Sequence, residues 1–149
     1  MADLVQATAD ELAIRNLVSR YADAVNRRDA DAWSATWSKD GEWSVMGNPT
    51  KGREAVVALW QQLMGGLSWV VQLTYGGTIE VAGDEGTGVW YLTEKMKRPD
   101  GTAASSVGVY HDRYVREGGE WVFASRRFDA LYMGPPDLSA DPLPFPTDV

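Results

Sequence analysis

The 149 residues contain no cysteine. That removes disulfides, thiolate nucleophiles, iron–sulfur clusters and cysteine zinc sites, and it fits a reducing compartment. There is one histidine, His111, so every multi-histidine metal centre is excluded as well. Positive charge is in deficit: 14 Lys and Arg against 21 Asp and Glu leave a formal net charge of −7, the wrong sign for coating phosphate backbones or anionic lipid. Nucleic acid and membrane surfaces are therefore not the expected partners. No apolar run approaches the roughly 20 residues of a bilayer-spanning helix. Met1-Ala2-Asp3-Leu4 has neither the basic nor the apolar region of an export signal, and the expectation is a soluble, cytoplasmic protein.

What is present is about one domain's worth of chain. Folding at this length removes roughly 68–70% of the surface an unfolded chain exposes, enough for one packed core and a modest cavity. Separate cofactor and substrate domains are not expected. Ile14, Leu17, Val18, Tyr21 and Val25 recur at three-and-four spacing and predict a first helix over about Ala9–Arg27. Asp29 or Asp31 can cap a short second helix carrying Trp33 and Trp37, which Lys39-Asp40-Gly41 ends with turn chemistry. Glu42–Met46 reads as a strand with Trp43 and Val45 on one face, broken at Gly47-Asn48-Pro49. Val56, Leu59, Trp60 and Leu63 mark a third helix over Arg53–Met64, closed by Gly65-Gly66.

From Ser68 the period changes to two. The expected strands are Trp69–Val81, with a bulge or bend at Gly76-Gly77, then Thr87–Lys97, Ala103–Arg116 and Glu120–Tyr132, the last two joined at Gly118-Gly119. Prolines at 135, 136, 142, 144 and 146 forbid regular structure beyond Met133, which predicts a tail over 135–149 that is loose or laid across a domain formed by 1–134. Helices followed by a meander of strands indicate an α+β fold, with the helices covering one face of a strongly curved, mostly antiparallel sheet. Such a sheet leaves a conical gap beneath the helices, lined by alternate strand residues. If Tyr110 points inward, so do Gly108 and Asp112, while His111 faces away. On the last strand the inward set is either Val122, Ala124, Arg126 and Phe128 or Trp121, Phe123, Ser125 and Arg127; alternation alone does not choose.

Six short blocks carry a family signal: Ile14 through Asp29, Asp40-Gly41-Glu42-Trp43, Lys51-Gly52-Arg53-Glu54, Ile79 through Asp84, Gly108 through Tyr114, and Glu120-Trp121. In this order they resemble the SnoaL-like branch of the nuclear transport factor 2-like superfamily, over about residues 10–133. The branch includes scytalone dehydratase, bile-acid dehydratase and hexachlorocyclohexane dehydrochlorinase. The resemblance implies a cone-shaped α+β barrel of about three helices on the sheet, and a pocket that works without a cofactor. It also implies a homodimer or higher homo-oligomer associating through the outer face of the sheet. The fold hosts dehydratases, isomerases, cyclases and plain binding subunits, so the reaction does not follow from it. In the similar lyases an aspartate near the end of helix one holds a histidine on the first long strand, and the histidine takes the substrate proton. Here those positions carry Asn26 and Gln72, neutral amides that take no proton near pH 7, though an amide at one can hydrogen-bond an amide at the other.

Other groups must therefore supply any acid–base chemistry. Tyr21 aligns with a donor position of the family, and Tyr110 shares the inferred inner face; each is a candidate general acid or a buried core aromatic with a satisfied hydroxyl. The resemblance puts Arg126 and Phe128 inward on the last strand, so Arg126 can bind an anionic group or stabilise an enolate, or simply pair with Asp112 across the hairpin. Asp112 is the first candidate base and Glu94 the second, if Trp90, Leu92 and Glu94 share the inward set. His111 is assigned a structural or dimer-surface role. Trp43, Trp90, Phe128, Asn26 and Gln72 are the expected substrate-binding residues.

The reading is a small, cofactor-independent enzyme of the dehydratase, isomerase or cyclase type, acting on a hydrophobic cyclic or aromatic small molecule. The alternative is a non-catalytic ligand-binding or accessory domain using the same pocket.

Overall fold

The computed structural model describes residues 2–149. Helices α1 (Ala2–Arg27) and α2 (Ala30–Ser34) precede strands β1 (Trp37–Val45) and β2 (Asn48–Lys51); α3 (Arg53–Gly65) follows, and then strands β3 (Trp69–Ala82), β4 (Glu85–Lys97), β5 (Ala103–Glu117) and β6 (Glu120–Gly134). The strands form one sheet in the order β2-β1-β6-β5-β4-β3, antiparallel throughout except for the parallel β1–β6 pair. The sheet curls around α1 and α3 without closing on itself, which is the expected α+β architecture.

The predicted stripe of α1 is the spine of the core. Ile14, Leu17, Val18, Tyr21 and Val25 are all buried, whereas residues 3–9 are exposed, so α1 starts two turns earlier than its buried stripe signals. Arg28 ends the helix in the left-handed region (φ 56°), with Asp29 N donating to Ala24 O at 3.0 Å. A non-glycine residue is held there because its guanidinium donates to the Met64 and Leu67 carbonyls at the end of α3. Asp29 then caps α2, its Oδ1 accepting from Ala32 N at 2.9 Å. Trp33 stacks on Trp60 of α3 at 4.8 Å, and Trp37, Tyr21 and Phe123 pack around them, so the narrow end of the cone is filled with rings.

Three expectations for β1 and β2 are corrected. Trp37 belongs to β1 and not to the second helix. Lys39-Asp40-Gly41 does not end an element but lies inside β1 as an irregularity, since the β1–β6 register shifts between Trp37 and Glu42. Chain pairing resumes at Asn48, where Pro49 is tolerated because β2 is an edge strand.

Bulges decide which residues face inward. On β6 the register slips opposite Arg113/Tyr114, leaving Ala124 unpaired, so Trp121 and Phe123 point inward before it and Arg126 and Phe128 after it. Both sets weighed from alternation are thus half right. A second slip at Leu131 turns Tyr132 away from the interior and Met133 toward it. The tail from Pro135 has no helix or strand and lies on the outer face of the sheet. Leu143 N donates to Leu131 O at 2.8 Å, Phe145 packs on Tyr91 with ring centroids 6.3 Å apart, and Asp148 pairs with Arg127 at 2.8 Å.

The third bulge, between Thr74 and Gly77, is where a glycine is required by close approach. A Cβ on Gly77 would sit 2.5 Å from both Trp90 Cδ2 and Val89 O, whereas one on Gly76 would meet nothing within 4 Å. Gly77→Ala should therefore cost about 1–3 kcal/mol through overpacking against backbone, while Gly76→Ala stays within about 0.5 kcal/mol of the parent. Urea unfolding of the two variants side by side checks this; equal stabilities would refute the packing assigned to the bulge.

Candidate functional site

Above the packed rings the cone remains open, as a cavity of about 260 Å³ between α1, α3 and the sheet. Tyr21 and Val25 of α1 form one wall, and Trp60, Leu63 and Met64 of α3 another; Trp43 and Val45 of β1 stand beside Phe128 of β6. Gln72, Glu94 and Tyr110, on β3, β4 and β5, make a single polar corner. Met46, Leu63 and Met133 are 50%, 46% and 42% exposed and mark the mouth. Every methionine of the described residues (Met46, Met64, Met96 and Met133) lines this one cavity. Flexible thioethers adapt to guests of different outline better than branched side chains do.

The polar corner is built from a cross-strand pair. Gln72 and Glu94 are register partners, and Gln72 Nε2 donates to Glu94 Oε1 at 2.7 Å and to the Tyr110 hydroxyl at 3.3 Å. These two acceptors fix the orientation of the amide, because a flipped group would set its oxygen against the carboxylate. Gln72 is 2% exposed, and its Oε1 has no partner. Burial pushes the Glu94 carboxyl up, against the opposing hydrogen bond from Gln72, and no cation contributes to holding its charge. Burial also pushes the Tyr21 phenol up to about 12 and the Tyr110 phenol well above its ordinary value, so both remain protonated donors near neutral pH.

Beneath this corner lies the floor. Arg126 is 1% exposed; its Nε donates to Asp112 Oδ1 at 2.9 Å and its Nη2 to Oδ2 at 3.1 Å. Tyr114 donates its hydroxyl proton to Asp112 Oδ2 at 2.8 Å and accepts from Trp90 Nε1 at 2.7 Å. The guanidinium carbon is 3.7 Å from the Tyr110 ring centroid and 4.3 Å from those of Tyr21 and Phe123. Burial works against the charge of Arg126, but the Asp112 carboxylate and the surrounding phenols outweigh it and hold its pKa above the ordinary value. For Asp112, burial pushes the carboxyl up while the guanidinium pulls it down.

The structure therefore brings together Tyr21, Tyr110, Gln72, Trp43 and Phe128 of the expected site residues, and leaves four outside the cavity lining. Asp112 and Arg126 form a closed ion pair, because a buried charge takes the nearest compensating partner. Trp90 lies with them, its N–H engaged by Tyr114. Asn26 is exposed and reaches the peptide of Gln72 instead of its side chain: Oδ1 accepts from Gln72 N at 2.7 Å, and Nδ2 donates to Gln72 O at 3.0 Å. It ties α1 to β3 and so positions Gln72. His111 is on the outer face, with Nδ1 unpartnered. Sequence reasoning ranked Glu94 second and missed Trp60 and the methionines. The apolar stripe of α3 carried a signal for Trp60 and Met64, whereas nothing local announced Met133, which the β6 bulge turns inward.

Removing one partner of the floor pair strands the other. Arg126→Met should lower stability by about 3–5 kcal/mol, and adding Asp112→Leu should restore much of the loss, because the second change removes the uncompensated charge. A double-mutant cycle in urea measures it; additive losses would mean that the pair is not coupled.

With this geometry in hand, comparison with known proteins places the fold. The SnoaL-like domain family matches residues 6–127. Among solved structures, one described as LinA superimposes with a TM-score of 0.84 at 25% identity, over 98% of this chain and 100% of that one. The hexachlorocyclohexane dehydrochlorinase LinA-type3 from Novosphingobium barchaimii follows with 0.82 at 22%, over 95% and 99%. A scytalone dehydratase-like protein from Novosphingobium aromaticivorans gives 0.81 at 17%, over 90% and 91%. No curated protein matches the sequence. By sequence and by fold, the chain belongs to the SnoaL-like domain family, in the branch of the nuclear transport factor 2-like superfamily that its six blocks resemble.

Proposed function

We propose that the chain is a small, cofactor-independent enzyme of the dehydratase, isomerase or cyclase type, working on a hydrophobic cyclic or aromatic molecule in the cavity. The observation that carries this reading is Glu94, an ionisable carboxyl group on the cavity wall that is desolvated and has no cationic partner. Such a group is poised as a base nearer neutrality than a free glutamate. In the role first considered for Asp112, Glu94 removes a proton from carbon α to a carbonyl. The C–H electron pair forms the enolate C=C bond and the carbonyl π pair moves onto oxygen, where the Tyr21 and Tyr110 hydroxyls donate to it. In an elimination the enolate expels hydroxide, which collects the proton from Glu94 and leaves as water; in an isomerisation Glu94 returns the proton to another carbon. Gln72 orients Glu94, Asn26 positions Gln72, and Trp43 and Phe128 flank the ring. Arg126 contributes from beneath the phenol rings, although Asp112 offsets most of its field. The likeness to proteins described as a dehydrochlorinase and as scytalone dehydratase-like supports a lyase-type reaction.

The absent aspartate–histidine pair favours a second reading, a non-catalytic binder of the same ligands, and one experiment separates the two. Hydrogen–deuterium exchange or water loss on cyclic hydroxy-ketones should fall roughly 100-fold or more in Glu94→Gln, and the parent rate should rise with pH through a value above the ordinary carboxylate range. Stability must move the other way. A raised pKa in the folded state gives stability that is complete below the unfolded pKa and is lost as pH rises through the folded one. Glu94→Gln should therefore melt higher than the parent near pH 8, with the gap closing toward about pH 4. No exchange in the parent, or an unchanged rate in the variant, rejects the catalytic reading.

Copies of the chain are proposed to associate through the outer face of the sheet, where Trp69, Leu73, Tyr75 and Tyr91 are 41–56% exposed. Light scattering should report a dimer or larger assembly that Leu73→Lys with Tyr75→Lys disrupts; a monomeric parent removes the proposal.

A further inference from the structure

Two carboxyl groups on the inner face of the sheet, Asp112 and Glu94, have opposite fates. Asp112 receives two hydrogen bonds from a guanidinium and one from a phenol. Glu94 is faced only by neutral donors, the Gln72 amide and the Ser106 hydroxyl, and the lining of its cavity contains no lysine, arginine or histidine. The nearest buried cation, Arg126, is closed off beneath the Tyr21 and Tyr110 rings and is already engaged. The remaining walls are aromatic and thioether groups that tolerate positive charge: Trp43, Trp60 and Phe128, with four methionines. A carboxylate on the wall of an aromatic enclosure, with no resident cation, is complementary to an ammonium group.

We infer that the cavity is a receptor for a small primary arylalkylammonium ion, its NH₃⁺ held by Glu94 and its ring lying among Trp43, Trp60 and Phe128. Its volume suits a single ring with a short arm, since a cavity of roughly 150 Å³ already holds benzene. Such an amine competes with any neutral substrate of the same pocket. The inference uses the cavity and the carboxylate of the proposed function and does not need turnover. Anionic ligands of the same shape are disfavoured, as they would meet Glu94 with no cation in reach.

The groups that face Glu94 leave it as the titrating element. Gln72 of β3 and Ser106 of β5 are neutral, and the phenols of Tyr21 (α1) and Tyr110 (β5) stay protonated well past neutrality. Helix α3 and strand β6 present only Trp60, Leu63, Met64, Phe128 and Met133 to the cavity.

Titration calorimetry with 2-phenylethylamine, 2-phenylethanol and phenylacetate tests this on one scaffold carrying three head groups. At pH 8 the amine should bind roughly ten-fold or more tighter than the alcohol, the gain of one charge-assisted hydrogen bond, and phenylacetate weakest. As pH falls through the titration of Glu94 the amine should lose this advantage, and near that pH its binding should release a proton to buffer. Glu94→Gln should bring amine and alcohol to within about two-fold of each other, with an unchanged circular-dichroism spectrum reporting that the variant is folded. If the alcohol binds as tightly as the amine, or the preference survives in Glu94→Gln, the ammonium site is wrong, while the proposed proton chemistry on neutral rings stands. If none of the three binds, the ammonium site falls, and exchange on hydroxy-ketones still decides the enzymatic reading by itself.

Discussion

Arg126 is a cation with no water around it, and much of the architecture can be read as the means of keeping it there. Asp112 supplies the counter-charge in fork geometry, and Tyr21, Tyr110 and Phe123 supply ring faces at 3.7–4.3 Å. Tyr114 and Trp90 extend the network, so that a helix and three strands are pinned to one charged centre. In a low-dielectric interior such a centre tolerates little displacement, because every partner it loses leaves an unpaired charge. It supports the cavity through Tyr21 and Tyr110, whose rings stand on the guanidinium and line the cavity.

In the proposed reading that floor shifts the candidate base from Asp112 to Glu94. The two carboxyl groups share the interior but not their partners. One is closed in an ion pair; the other has no cationic partner and lines the cavity. Two titratable groups held in such different surroundings are the usual sign that one is structural and the other available to a guest. The amide pair at Asn26 and Gln72 takes on positioning work: Asn26 reads the backbone of β3, and Gln72 faces Glu94. The consequence is a polar corner on one side of an otherwise aromatic and thioether-lined space, suited to a ring with one polar head.

Helix α1, the four long strands, the bulge at Gly76-Gly77 and the irregular tail are legible in the order of residues, because each is set by local rules: three-and-four spacing, period two, turn residues and proline. Tyr21, Tyr110 and Gln72 were placed in the pocket by the same means, together with the family resemblance. Asp112 and Arg126 were correctly placed facing inward, and their pairing was one of the two options their cross-strand positions allowed. What local pattern did not yield is depth. Alternation says that Asp112, Tyr110 and Gly108 share a face, but it does not say which of them lies below the floor and which above.

Composition and period by themselves determined the fold class, the single core and the absence of thiol or multi-histidine chemistry. Tertiary structure alone decided which carboxylate is sealed and which is open, which methionines ring the mouth, and which half of β6 shows which parity. The physical reason lies in the bulges and the curl. One unpaired residue at Ala124 or Leu131 inverts every side chain beyond it, and the curvature of the sheet fixes how far each inward residue sits from solvent. Both properties arise from several strands at once and are carried by no single segment.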